Sequence, residues 1–360
     1  MGTALGVVAG ALMIFSAVAM WDSMQVNFAT YNAILDYDLR VDMSSFQSDT
    51  ALEQRVQEIA AAETGAAVDV QAALMGPVTI ERPDGEIFDT VAIAMDERDP
   101  FFDLETLEGE EAFSNTDGVW IGHNVQRVLG VDVGDTVVLV LPAFNARYET
   151  TIQGIVHYTV GSPVLVPRSL VMEWSGTGVF VANTTLVRVQ DGDPDDVRDA
   201  MLGLSGMYAV ESVSDAKADL DYYLQYFRVG IIVFGSFGFI LTLAVLFNTV
   251  DGSLRERRQE LAVLRALGSR PSEIALVVTL ELLLMVAIGA LIGIPIGREA
   301  GYYLNGAYAL DYFGQVNVMR PLSYVLGVLS MLIVVLLAEI PGLRTVQRVD
   351  LGHVSKSQSF

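Results

Sequence analysis

The sequence predicts an α-helical membrane protein with four transmembrane helices and a large α+β extracytoplasmic domain that contains an inserted β-rich subdomain. Three observations carry this expectation. Residues 229–250, 274–297 and 322–341 are nearly free of charge, and runs of about 20 apolar residues match the roughly 30 Å of hydrocarbon that a helix must cross. A fourth apolar run opens the chain, MGTALGVVAGALMIFSAVAM. The charge is also segregated: residues 21–228 hold 35 Asp/Glu against 11 Lys/Arg, a net −24, in a chain whose total is −23. One polar domain therefore holds essentially all of the net charge, and the rest of the chain is built for lipid.

The elements follow in order. Residues 1–21 read as the first transmembrane helix and not as a cleaved signal. No Lys or Arg precedes the run and no small-residue cleavage site closes it, and Trp21 suits an interfacial anchor. Residues 22–228 form the outer domain, long enough to bury a core of its own. In it Asp38 to Met43 alternates as a strand, Thr50 is placed to cap a helix over Ala51 to Glu63, and Gly65 ends that helix. The turn Pro83-Asp84-Gly85 joins Pro77 to Glu81 with Ile87 to Ala92 as a hairpin. Near the far end the order recurs: a strand over Thr185 to Val189, an acid-capped helix from Asp195 to Leu204, and a strand over Met207 to Ser212. Two β-α-β-like units thus flank a strand-rich middle at about 78–182. The last helix of the domain, Asp215 to Phe227, enters the second span (229–250) without Gly or Pro, so a continuous helix can carry motion between membrane and domain.

The polar segment 251–273, DGSLRERRQELAVLRALGSRPSE, is the cytoplasmic elbow. Its five basic residues, Arg255, Arg257, Arg258, Arg265 and Arg270, mark the side of the membrane that stays in the cytoplasm. Ser253 with Glu256 reads as a capping box that starts a helix, Leu254, Leu261, Ala262, Leu264 and Leu267 form its apolar positions, and Gly268 followed by Pro271 stops it and starts the next. An amphipathic helix offered to a cytoplasmic partner and a basic loop lying on lipid headgroups fit this pattern equally well.

The third span (274–297) carries Gly289, Gly293 and Gly297, and the first carries Gly6 and Gly10, continuing a spacing of four from Gly2. Small residues on one helix face permit the close backbone approach by which helices associate in lipid. A short outer loop (298–321) with Tyr302, Tyr303, Tyr308 and Tyr312, the fourth span (322–341) and a cytoplasmic tail (342–360) complete the chain. Both termini are expected in the cytoplasm and the chain in the cytoplasmic (inner) membrane. Glu281 and Glu339 lie inside spans, where headgroup-level pairing with Arg is the simpler reading and a proton or ion relay the rarer one.

Composition excludes several classes. With no cysteine there is neither a disulfide framework nor a thiolate metal site, and so acidic a surface argues against nucleic acid as a partner. The run Asp191, Asp193, Asp195, Asp196, Asp199 fails the calcium-loop spacing and coincides with a helix start, where acids favour the dipole. No G-x-x-x-x-G-K-[ST] loop exists, since neither Lys217 nor Lys356 follows a glycine. G-x-S-x-G and H-E-x-x-H are absent, and His123, His157 and His353 stand apart in sequence. No catalytic, metal-binding or cofactor-binding residue is expected, and the chain is read as no enzyme.

The run FNTVDGSLRERRQELAVLRALGSRPSEI followed by ELLLMVAIGALIGIPIG resembles the signature region of FtsX-like permeases of the MacB and LolC/LolE kind. Asn248, Glu256, Arg257, Glu260, Ala262, Leu264, Arg265, Ala266, Leu267 and Gly268 fit that pattern in place. GVWIGHNVQRVLGVDVGDTVVLV (Gly118 to Val140) is similar to a segment of the family's extracytoplasmic domain. The resemblance implies a permease subunit of an ABC system that binds no cofactor itself, ATP being used by a separate cytoplasmic ATPase subunit. It implies that Ser253, Arg255, Glu256, Arg257, Glu260, Leu261, Leu264, Arg265 and Gly268 couple to that ATPase, and that motion passes to the outer domain to export or extract lipoprotein, lipid or peptide cargo. Further expected partners are membrane lipid, a periplasmic protein, and a second copy or a paired permease half. Family members usually begin with a basic amphipathic segment, whereas Met1 falls almost inside the first span. The expectation is either a truncated start or the second half of a longer permease. The competing function is a membrane-anchored regulator or sensor whose outer domain controls a partner such as a cell-wall hydrolase, without transport.

Overall fold

A computed structural model describes residues 2–257, 260, 263, 269–308 and 316–347, apart from 97–99, 107–108, 111, 114–115, 160 and 177. The chain divides into an outer unit, Gln25–Leu224 with Ala309–Val316, and a membrane unit, Met1–Met24, Gln225–Tyr308 and Asn317–Phe360.

The outer unit is built on β1 (Leu39–Ser48), α2 (Asp49–Thr64), β2 (Ala67–Glu81), β8 (Val181–Asp191), α5 (Pro194–Met201) and β9 (Met207–Ser212). These strands lie in the order β2-β8-β1-β9, with every neighbouring pair antiparallel. That is the split β-α-β arrangement, used twice. The helix α2 packs on β2 and beside α5, burying Leu52, Val56 and Ala60, four residues apart and so on one helical face. They meet Leu39, Val41 and Met43, alternate and buried residues of β1.

Inserted between β2 and β8 are β3 (Ile87–Met95), β4 (Val119–Gly122), α3 (His123–Leu129), β5 (Thr136–Leu141), a 3₁₀ turn at Pro142–Phe144, β6 (Ala146–Val156), β7 (Val164–Pro167) and α4 (Arg168–Ser175). The order β3-β7-β4-β6-β5-β2, with β3 also paired to β2, closes a ring of six strands. A closed ring leaves no open edge. Val78 and Ile80, Val119 and Ile121, Val137 and Leu139, and Val164 and Val166 are buried at two-residue spacing, as inward positions of a barrel require. The 15-residue strand β2 belongs to both sheets, pairing with β8 through Ala67–Ala73 and with β3 through Leu74–Glu81.

Local signals behave as their chemistry dictates, with one correction. Gly65 takes the left-handed conformation (φ 71°) and closes α2 through its N–H to the Ala61 carbonyl, and Asp193 caps α5 by accepting the Asp195 N–H. Thr50, however, lies inside α2 and does not cap it. The cap position is Ser48, whose hydroxyl turns to its neighbours Asp49 and Thr50 and leaves the backbone without a side-chain cap.

The membrane unit contains most of α1 (Gly2–Ile34) and α6 (Val213–Glu256), together with α7 (Pro271–Tyr308) and α8 (Pro321–Gln347). All four are long and apolar enough to cross a membrane. Polar residues continue a helix where nothing interrupts it: Trp21 to Ile34 contains neither Gly nor Pro and extends α1 past its apolar stretch, and Pro271 and Pro321 occupy first-turn positions, where proline is favoured. Phe15, Val7, Ala11, Leu246, Val286, Met331 and Val334 form the buried core. Ile232, Phe237, Leu280, Leu284, Leu291, Leu326 and Leu336 are exposed, the outward apolar surface that a bilayer solvates.

Candidate functional site

Two features of the membrane unit bear on function: the elbow between α6 and α7, and the glycine faces that set α1 at the centre of the bundle. In the elbow, α6 continues unbroken to Glu256. The Arg257 N–H donates to the Ser253 carbonyl at 3.0 Å, so Ser253 is a residue of the helix interior. The capping-box reading of Ser253 and Glu256 is thereby corrected, because a cap needs a chain that enters the helix from outside. The equivalent bond is made at the far end of the elbow. Pro271 opens α7, and the Glu273 carboxylate accepts the Arg270 N–H at 2.9 Å, the return half of a capping box.

Arg255 pairs with Asp251 one turn earlier at 2.9 Å, and Arg257 reaches across to Glu281 at 3.3 Å. Both arginines are exposed, as are Glu256, Glu260 and Val263, so this end of the membrane unit presents charge of both signs around an apolar position. Leu261, Leu264, Arg265 and Gly268 lie outside the described residues.

On α7, a Cβ built on Gly289 would come within 2.6 Å of Val7, one on Gly293 within 2.5 Å of the Ala11 Cβ, and one on Gly297 within 2.7 Å of the Leu12 carbonyl oxygen. Each of these residues looks onto α1. On α1, Gly6 and Gly10 face the other way, onto Val245 and Thr242 of α6. At that crossing Gly238 of α6 meets Met13, with 2.7 Å left to its Cβ. The Ser16 hydroxyl donates to the Gly297 carbonyl at 2.8 Å, a hydrogen bond that only so close a crossing permits. Within α1 the Asp22 carboxylate accepts the Arg320 N–H at 2.8 Å, and Ser23 both accepts from and donates to Val318. The segment that leads into α8 is thus anchored on α1.

The two intramembrane carboxylates differ. Glu281 has the Arg257 partner, whereas Glu339 is buried and takes the Thr279 hydroxyl at 3.1 Å. Among the described residues, the expected pairing of Glu339 with an arginine is replaced by a bond with a neutral donor. Thr279 carries no sequence signal for this role, since the contact joins residues 60 positions apart.

In the outer unit, His123 and His157 are far apart in sequence yet electrically coupled. His123 Nδ1 and His157 Nε2 are buried without hydrogen-bond partners. Burial chiefly lowers the pKa of His123, helped by the charge of His157 and then of Arg127. Burial also lowers that of His157, against the opposing pull of Glu105. Both imidazoles are therefore neutral in the fold and bind protons more readily once unfolded. Stability is full above the ordinary histidine value of about 6.5 and falls as pH drops from there towards the folded values. Denaturant unfolding of the whole chain is expected to show a lower midpoint at pH 5.5 than at 7.5, and His157→Gln should flatten that difference. An unchanged difference in the variant would remove the histidines as its cause. Among the described residues no three His, Asp or Glu side chains are grouped to hold a metal ion.

Residues 232–346 match the family model described as FtsX-like permease C-terminal. The chain is 30% identical over 98 residues to the ABC transporter permease YtrF of Bacillus subtilis (strain 168), a match that covers 27% of this chain and 22% of that relative. The chain thus aligns with about a fifth of the relative's length. A solved structure, the periplasmic region of MacB from Actinobacillus actinomycetemcomitans, overlaps 53% of this chain and 95% of its own at 10% identity and a TM-score of 0.33, too distant to bear on function.

Proposed function

We propose that this FtsX-like permease is the membrane subunit of an ABC transporter, driven by a cytoplasmic ATPase on a separate chain, and that it passes the ATPase's motion to its outer domain. The match over residues 232–346 carries the reading, because that region takes in the end of α6, the elbow and all of α7. The exposed Arg255, Arg257, Glu260 and Val263 support docking at the elbow, and the unbroken α6, 44 residues long, supports transmission. Cargo of the lipoprotein, lipid or peptide kind is the accompanying proposal, with a second copy or a paired permease half completing the transporter.

Because the native chain has no cysteine, single-cysteine probes test the orientation cleanly. A membrane-impermeant thiol reagent applied to intact cells is expected to label Arg55→Cys and spare Gln259→Cys. Reversed labelling would remove the cytoplasmic elbow and the docking idea with it. Co-expressed with a cytoplasmic ABC ATPase subunit from the same organism, Leu261→Asp is expected to retain at least tenfold less ATPase through purification than the native chain. Full retention with full coupling would count for the regulator or lipid-contact reading of the elbow.

A further inference from the structure

The outer unit contains an apolar pocket of about 150 Å³ where β2 passes from one sheet to the other. None of its lining residues is charged, although residues 21–228 carry 35 acids. Its polar side chains are already engaged. The Asn183 amide donates to the Met75 carbonyl and accepts the Met75 N–H, both at 2.8 Å, and the Tyr148 hydroxyl donates to the Trp174 carbonyl at 3.2 Å. The interior therefore offers shape and apolar contact and nothing that would select a charged group.

Four aromatic residues in the lining form two stacked pairs. Tyr148 and Trp174 lie 4.5 Å apart at 7°, and Phe46 and Phe144 lie 5.2 Å apart at 28°. Phe46 and Phe144 remain 45% and 41% exposed, an uncovered aromatic rim around an apolar hole. A cavity of about 150 Å³ lined by apolar side chains suits one benzene-sized ring, and ring faces favour an aromatic guest. A free ring would leave the rim bare, whereas a ring carried on a chain would cover it, which is the anatomy of an anchor residue surrounded by a water-excluding border.

We propose that this pocket is a binding site for one aromatic side chain of an extended peptide segment, the segment itself neutral or basic because the surrounding surface is strongly acidic. The inference stands on the outer unit alone and is independent of ATPase docking.

The test uses the full chain in lipid nanodiscs, with empty nanodiscs as blank, and fluorine NMR of the peptide acetyl-Lys-(4-fluoro-Phe)-Lys-amide. Its resonance is expected to broaden with the native chain, and unlabelled acetyl-Lys-Phe-Lys-amide should reverse this while acetyl-Lys-Ala-Lys-amide does not. Val171→Trp, which fills the pocket, should weaken binding at least tenfold. If that variant fails to fold, Ser175→Trp at the exposed mouth serves instead. The double variant Phe46→Ala/Phe144→Ala should weaken the peptide several-fold and leave fluorobenzene unaffected. Equal broadening with the filled pocket, reversal by the alanine peptide, or broadening of fluorobenzene with none of the peptide resonance would each overturn the proposal.

Discussion

Replacing Gly293 with leucine is expected to abolish the folded membrane bundle. The nearest atoms to a Cβ at this position are the Ala11 Cβ at 2.5 Å and the Leu12 backbone nitrogen at 3.2 Å. Overpacking costs about 1–3 kcal/mol where neighbouring side chains can yield. Here the neighbours are the Ala11 Cβ, which has no rotamer to change, and helix backbone, whose displacement would disturb the whole α1 crossing, so the loss should exceed about 4 kcal/mol, an exceptional value for one substitution. The measurement is the yield of monodisperse protein in detergent and its melting temperature. Gly293→Ala should be milder and should recover in part when combined with Ala11→Gly, which removes the atom it meets. A Gly293→Leu chain that purifies and melts like the native one would refute the packing argument.

The second large effect lies in the barrel. Trp120 of β4 is buried, and its ring lies over Gly154 of the neighbouring strand β6, where an added Cβ would come within 2.5 Å of ring carbon Cη2 and closer still to others. Gly154→Ala must expel or rotate the indole. That forfeits a buried aromatic, worth about 3–5 kcal/mol by comparison with large-to-small core changes. The matching change Trp120→Leu should lower stability alone yet recover part of the Gly154→Ala loss, with a coupling of about 0.5–3 kcal/mol in a double-mutant cycle. Urea unfolding of the four chains measures it. Strict additivity would mean that the two residues do not share the space the structure assigns them.

What the sequence makes legible here is what depends on neighbours along the chain. The four apolar runs, the closing of α2 by Gly65 and the recurrence of strand, helix and strand at both ends of the outer domain are local patterns, and they suffice for the fold class. The spacing of four places Gly289, Gly293 and Gly297 on one face by helical period alone. That this face looks onto α1, and that α1 turns Gly6 and Gly10 onto α6, depends on contacts hundreds of residues apart. The same holds for the closure of β3 onto β2, the electrostatic influence of His157 on His123, and the Thr279 hydroxyl on Glu339. Ser253 shows the reverse failure. Its local signature is sound, but a capping box is read only where a helix begins, and α6 had not ended. The apolar pocket was invisible because its lining comes from both sheets and each segment alone looks like ordinary core.

The central place of α1 also bears on how the protein is made. Its glycine and serine contacts are with residues synthesised far later, Ser16 with Gly297 across 281 positions. At the ~5–20 residues per second typical of translation, the first helix waits about 15–60 s in the membrane before α7 exists to cover it. The whole outer domain emerges within that interval. Its core can close while the membrane core is still open, so, of these four helices, the earliest made is among the last to be covered.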